Sequence, residues 1–199
     1  MIKRYTSMLA LITICGAMIS VPQAYAQHVQ FLAGDDLNSG KLVQVLTPKG
    51  PRPRGVGLKP PECSHLRHQA QASRGIESVA KADIASLEVE FDVNSAQLSP
   101  ASEKTLDTLG QALSSAALKP CCFEIEGYTD ATGGASYNQK LSEERAATVI
   151  DYLATHEGIE RDRMMPKGFG KSHAIASNTT EEGRQKNRRV QVVNLGYGV

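Results

Sequence analysis

GYTDATGGASYNQKLSEERA, residues 127–146, decides how this chain is read. It begins where the alternating run CFEIEGY (122–128) ends. Phe123 and Ile125 fall on one face of an extended segment, and Glu124 and Glu126 fall on the other, the face expected to meet solvent. Gly133 and Gly134 then allow a tight turn, because glycine accepts positive φ. NQKLSEERAATVIDYLATHEG (138–158) reads as a long helix with Leu141, Val149, Tyr152 and Leu153 facing inward and Gly158 ending it. Arg145 breaks that pattern. It lies four residues after Leu141 and four before Val149, so it occupies the apolar stripe where a leucine is expected. Helical side chains lean toward the N-terminus, which aims its guanidinium back at the loop carrying Asp130. Two readings fit these residues. Asp130 and Arg145 pair with each other as a structural salt bridge, the commoner arrangement, or together they hold a zwitterion, with Asp130 taking an ammonium and Arg145 a carboxylate in a two-pronged hydrogen bond.

The flanking stretches set the frame. SLEVEFDV (86–93) alternates Leu87, Val89, Phe91 and Val93 against Glu88, Glu90 and Asp92, which predicts a half-buried strand. SPASEKTLDTLGQAL (99–113) opens with Ser99 as N-cap and Pro100 at the first helical position, and carries Leu106, Leu109 and Leu113 as its stripe. RMMPKGFG (163–170) reads as a short strand at an edge or bulge because of Pro166. TEEGRQKN (180–187) predicts a short helix, and RRVQVVNL (188–195) the last strand. The order β-α-β-α-β(-β) predicts an α/β sandwich, one mixed sheet with helices packed on it.

Composition bounds the rest. The chain has 199 residues, 41% hydrophobic and 5% aromatic with no Trp, so its core is mostly aliphatic. Residues 1–26 combine Lys3 and Arg4, an apolar run from Met8 to Val21 and a small-x-small site at Ala24–Ala26, the pattern of a cleaved secretory signal. Ile14 before Cys15 argues against a lipoprotein signal. Cleavage leaves 20 basic and 21 acidic residues, which gives no reason to expect nucleic acid as a partner. No transmembrane segment is expected after the signal. Residues 27–85 read as a Pro/Gly/basic-rich extension or linker, partly disordered, with TPKGPRPRGVGLKPP (47–61) at its centre. Lys41 to Arg74 holds seven Lys or Arg against Glu62 alone, a stretch able to meet an envelope protein or an anionic surface. In an oxidising compartment Cys63 can pair with Cys121 or Cys122, which face opposite sides of one strand.

FDVNSAQLSP (91–100), EGYTDATGGASYNQKLSEERAATVIDYL (126–153), GFGKS (168–172) and EEGRQKNRRVQVV (181–193) resemble the OmpA-like C-terminal domain, in that family's order and spacing, over about residues 86–195. The resemblance implies non-catalytic, non-covalent binding of peptidoglycan through the diaminopimelate of its stem peptide. It implies that Asp130 takes the ligand's ammonium and Arg145 its carboxylate. Asn138 and the backbone around Asp92 and Thr129 would complete the pocket, and Asn94 and Arg188 would line or brace it. Residues 196–199 would be a tail. The implied location is the periplasm of a Gram-negative envelope, associated with the wall at the inner face of the outer membrane. The vicinal Cys121-Cys122 and residues 27–85 depart from the family pattern. An alternative is a periplasmic assembly factor that meets its partner through the basic segment.

Other signals carry less. GFGKS lacks the first glycine of a phosphate-binding loop, since position 165 is Met165. Asn178-Thr179-Thr180 matches a common glycosylation tripeptide. Cys63, His65 and His68 form a weak metal cluster with no fourth ligand in view. No cofactor is expected. No nucleophile, metal-bound water or acid/base pair assembles around His156 or His173, so an enzyme is not expected.

Overall fold

The computed structural model describes residues 29–34, 37–49, 62–63, 66, 84–89, 91 and 95–198. Five strands form one mixed sheet: β1 (Val29–Leu32), β2 (Ile84–Leu87), β3 (Cys121–Gly127), β4 (Met164–Gly168) and β5 (Val190–Tyr197), in the order β1-β2-β5-β3-β4. β5 is antiparallel to both β2 and β3, while β1 with β2 and β3 with β4 are parallel. Pro166 lies on β4, an edge strand, where a missing N–H is tolerated.

The helices are α1 (Ser39–Leu46), α2 (Pro100–Leu113), α3 (Ala135–His156) and α4 (Glu181–Asn187). Ser99 caps α2, its side chain accepting the Ser102 N–H at 3.2 Å, and Leu106, Leu109 and Leu113 are fully buried. They join Leu87, Phe123, Ile125, Val149, Leu153 and Val192 in one core between helices and sheet. Parallel strands need a crossover, and α3 supplies it between β3 and β4. It sits very close to the strand ends. A Cβ on Gly127 would lie 2.1 Å from the Ser142 carbonyl oxygen, and one on Gly168 would lie 2.6 Å from Ser142 Oγ. The glycines of the phosphate-loop look-alike therefore admit a helix rather than a phosphate.

Several expectations change. The strand expected over 86–93 ends at Leu87, which pairs with Val190, the first residue of β5. Val89 stays buried and Phe91 bridges Leu98. The expected tail belongs in part to the sheet, since Tyr197 pairs with Cys121. Part of the expected extension is folded: β1 adds an edge strand, and α1 buries Leu42 and Leu46 in the core. Asn38 caps α1 through the Lys41 N–H, and Asn194 donates to the Leu46 carbonyl at 2.6 Å. Cys63 pairs with Cys122, while Cys121 points into the core. The Cys63 sulfur is therefore unavailable as a metal ligand, and His65 and His68 lie outside the described residues. So does the expected signal segment. No helix among the described residues is long and apolar enough to cross a membrane.

Glu124 and Glu126 do not face solvent. They are 6% and 1% exposed. Alternation along β3 places them opposite the core as expected, but alternation says nothing about whether that second face is covered. The Tyr128 hydroxyl donates to Glu126 at 2.6 Å and Lys167 to Glu124 at 2.8 Å. Burial, opposed by the Tyr128 hydrogen bond and reinforced by Glu124, pushes the Glu126 carboxyl up to about 8.

Candidate functional site

The site lies where β3 ends and α3 begins. Tyr128 is clamped there. Its ring stacks on Phe169 with centroids 5.1 Å apart, and the Arg189 guanidinium sits 3.7 Å from its centre. Thr129 follows, with its N–H donating to the Gly170 carbonyl at 2.8 Å and its hydroxyl to the Asp130 carbonyl at 3.0 Å. Gly133 turns the loop at φ 91°, and Asn138, almost fully buried, donates its side-chain amide to the Thr132 carbonyl at 2.8 Å. Asn138 and Thr129 thus pin the loop.

Asp130 does not pair with Arg145. Its Oδ2 accepts from Arg188 Nη1 at 2.8 Å and its Oδ1 from the Thr132 N–H at 2.8 Å. Burial pushes this carboxyl up, but those hydrogen bonds outweigh it and hold the carboxyl below its ordinary value, so Asp130 is charged. Arg188 spans two acids, with its Nη2 on Glu181 Oε1 at 2.8 Å.

Arg145 is 5% exposed, in the middle of the buried face of α3. Its Nε donates to the Ser95 carbonyl at 3.1 Å, and its guanidinium lies 4.8 Å from the centre of the Phe91 ring. Among the described residues, no acceptor takes its two terminal nitrogens. Burial and the nearby Arg188 both disfavour its charge, and Asp130 and Tyr137 offset them only in part. An arginine does not lose its proton in a protein, so Arg145 stays charged.

Arg145 and Arg188 open onto a cavity of about 170 Å³, completed by Glu88, Val89, Phe91 and Gln185. This is below the usual 300–1,000 Å³ of a small-molecule site. Gln185 donates to Glu88 at 2.8 Å across its rim. Asp130 is not among the side chains that line it. It stands against Arg188, which braces it. Asp92 and Asn94 lie outside the described residues.

Sequence reasoning missed Phe91 and Ser95 as the seat of Arg145, and Glu181 as the second anchor of Arg188. It also missed Asn178, whose Oδ1 accepts the Ala131 N–H at 3.0 Å and the Asn187 amide at 3.0 Å. These contacts join parts of the chain that local spacing does not relate. The His173 ring meets Phe169 edge-on, and burial, then Arg189, lower its pKa.

The strand–loop–helix unit, its buried arginine and α4 all fall in a stretch, residues 90–188, that matches the model of the OmpA family. Residues 90–188 form an OmpA family domain. The chain is 40% identical over 104 residues to a probable lipoprotein, YiaD, of Escherichia coli, covering 52% of this chain and 46% of that one. It is 41% identical over 106 residues to outer membrane protein A of Bordetella avium, covering 53% of each. The chain thus spans about half the length of these relatives. The OmpA domain fold also recurs in the periplasmic domain of Helicobacter pylori MotB, with a TM-score of 0.51 at 20% identity over 57% of this chain and 73% of that one.

Proposed function

We propose that this protein binds peptidoglycan without cleaving it and serves to anchor or stabilise the cell envelope. Membership of residues 90–188 in the OmpA family supports this reading. The observation that carries it further is Arg145: a buried cation in an apolar stripe, fixed by Ser95 and Phe91, with its terminal nitrogens unmatched among the described residues. A carboxylate matches that fork in a bidentate pair. Asp130, held in its charged form, supplies the complementary acceptor for an ammonium. An amino group and a carboxylate on one carbon meet both needs, and the diaminopimelate of a stem peptide presents them at its far end. We assign Arg145 to the carboxylate and Asp130 to the ammonium, with Arg188 bracing Asp130 and with Asn138 and Thr129 holding the loop. Asp92 and Asn94 are assigned by resemblance alone.

The chemistry is recognition. No step requires a nucleophile, a metal or a cofactor. The place of action in this reading is the periplasm, on the wall near the outer membrane. The test compares two kinds of purified sacculi. Diaminopimelate-type wall should retain the protein. Lysine-type wall, whose third residue ends in an amine without a carboxylate, should not. Equal retention on both would refute the assignment of Arg145.

A further inference from the structure

The cavity presents two guanidiniums, Arg145 and Arg188. Left to themselves they would form an anion site. A lone carboxylate would satisfy both, and an ammonium would be repelled. Asp130 alone does not change this, because its Oδ2 is already spent on Arg188 at 2.8 Å. Glu88 on the cavity wall supplies one compensating charge, and a further one lies outside the cavity. Glu181, in the first turn of α4, accepts the second nitrogen of Arg188 at 2.8 Å. Its other oxygen is held by Arg184 at 2.6 and 3.0 Å, and Arg184 is fixed in turn on the carbonyls of Asn178 and Thr179 at 3.0 and 3.3 Å. Asp130 and Glu181 then balance Arg145 and Arg188. Glu88 and Arg184 add one charge of each sign. The group as a whole is neutral, which suits a head group that is itself neutral but carries both signs.

We propose that Glu181 is a specificity-determining residue, which sets the preference of this site for a zwitterion over a simple anion by holding the charge of Arg188 away from the ammonium position. This inference rests on the reading of Asp130 and Arg145 given above. Without Glu181, Arg188 would belong wholly to Asp130 and the site would carry an excess positive charge. Binding of a zwitterion would weaken, and binding of an anion of the same shape would hold or strengthen. A residue that only supported the fold would weaken both alike. Because Glu181 is exposed, its influence is screened, and a change of about three- to fivefold is expected at moderate salt.

Calorimetric titration of the full mature chain with two muropeptides tests this. One carries diaminopimelate, and the other is identical except that hydrogen replaces its distal amino group. Wild type should prefer the first. Glu181→Gln should bind the first about three- to fivefold more weakly and the second no more weakly, so that the ratio falls. Glu182→Gln, the same charge change one residue on, should keep the wild-type ratio, and circular dichroism should show both variants folded. An equal loss for both ligands in Glu181→Gln, or the same fall in Glu182→Gln, would overturn the role of Glu181 and leave the site reading intact. Binding of neither muropeptide by wild type would overturn the site reading and this inference with it.

Discussion

The raised pKa of Glu126 should make the stability of the domain fall as pH rises. Its carboxyl is 1% exposed, and burial pushes it up to about 8 from an ordinary 4.5, with the Tyr128 hydrogen bond opposing and Glu124 adding to the rise. In the unfolded chain the same group ionises near its ordinary value. Below about pH 4.5 both states hold the proton and Glu126 contributes no slope. Between about 4.5 and 8 the folded state holds one proton more than the unfolded state, so unfolding releases it and is favoured by higher pH. One proton corresponds to about 1.4 kcal/mol per pH unit. For a chain of this size that is about 3–5 °C of melting temperature per unit. Differential scanning calorimetry from pH 5 to 8 should show this decline. Glu126→Gln should flatten it, because glutamine reproduces the neutral acid and still accepts from Tyr128. A wild-type melting temperature that is level or rising over this range, or a slope that survives in Glu126→Gln, would refute the reasoning.

Other perturbations follow from the packing. Cys63–Cys122 closes a loop of 59 residues, so Cys63→Ser with Cys122→Ser should cost about 4 kcal/mol in urea denaturation. Leu46→Ala removes a fully buried side chain of α1 and should cost about 2–5 kcal/mol, whereas a loose extension would give no change. Gly168→Ala places a Cβ 2.6–2.8 Å from Ser142, Glu143 and Gln139, and should lower stability by about 1–3 kcal/mol as α3 is forced off the sheet.

Much of this architecture was legible because local rules and tertiary needs agree. Ser99-Pro100 starts α2, Leu106, Leu109 and Leu113 bury it, and the alternation of Phe123 and Ile125 builds β3. Arg145 was legible as an anomaly in an apolar stripe. Its partner was not. Spacing placed Asp130 near Arg145, but which cation holds Asp130 depends on how α4 docks, and Arg188 is 58 residues away in sequence. The fold of residues 29–34 and 37–49 was hidden by shortness. A four-residue strand and an eight-residue helix carry too few periods to stand out, although Asn38, Leu42 and Leu46 in retrospect mark a capped, one-faced helix. The burial of Glu124 and Glu126 was illegible, because charged alternation reads as a solvated face.

In the proposed function Arg145 is a ligand-binding cation, not a structural one. Sedimentation of the mature protein with purified diaminopimelate-type sacculi, wild type beside Arg145→Ala, tests it directly. Wild type should sediment, and Arg145→Ala should stay in solution while keeping its fold. Arg145→Ala sedimenting like wild type would contradict it.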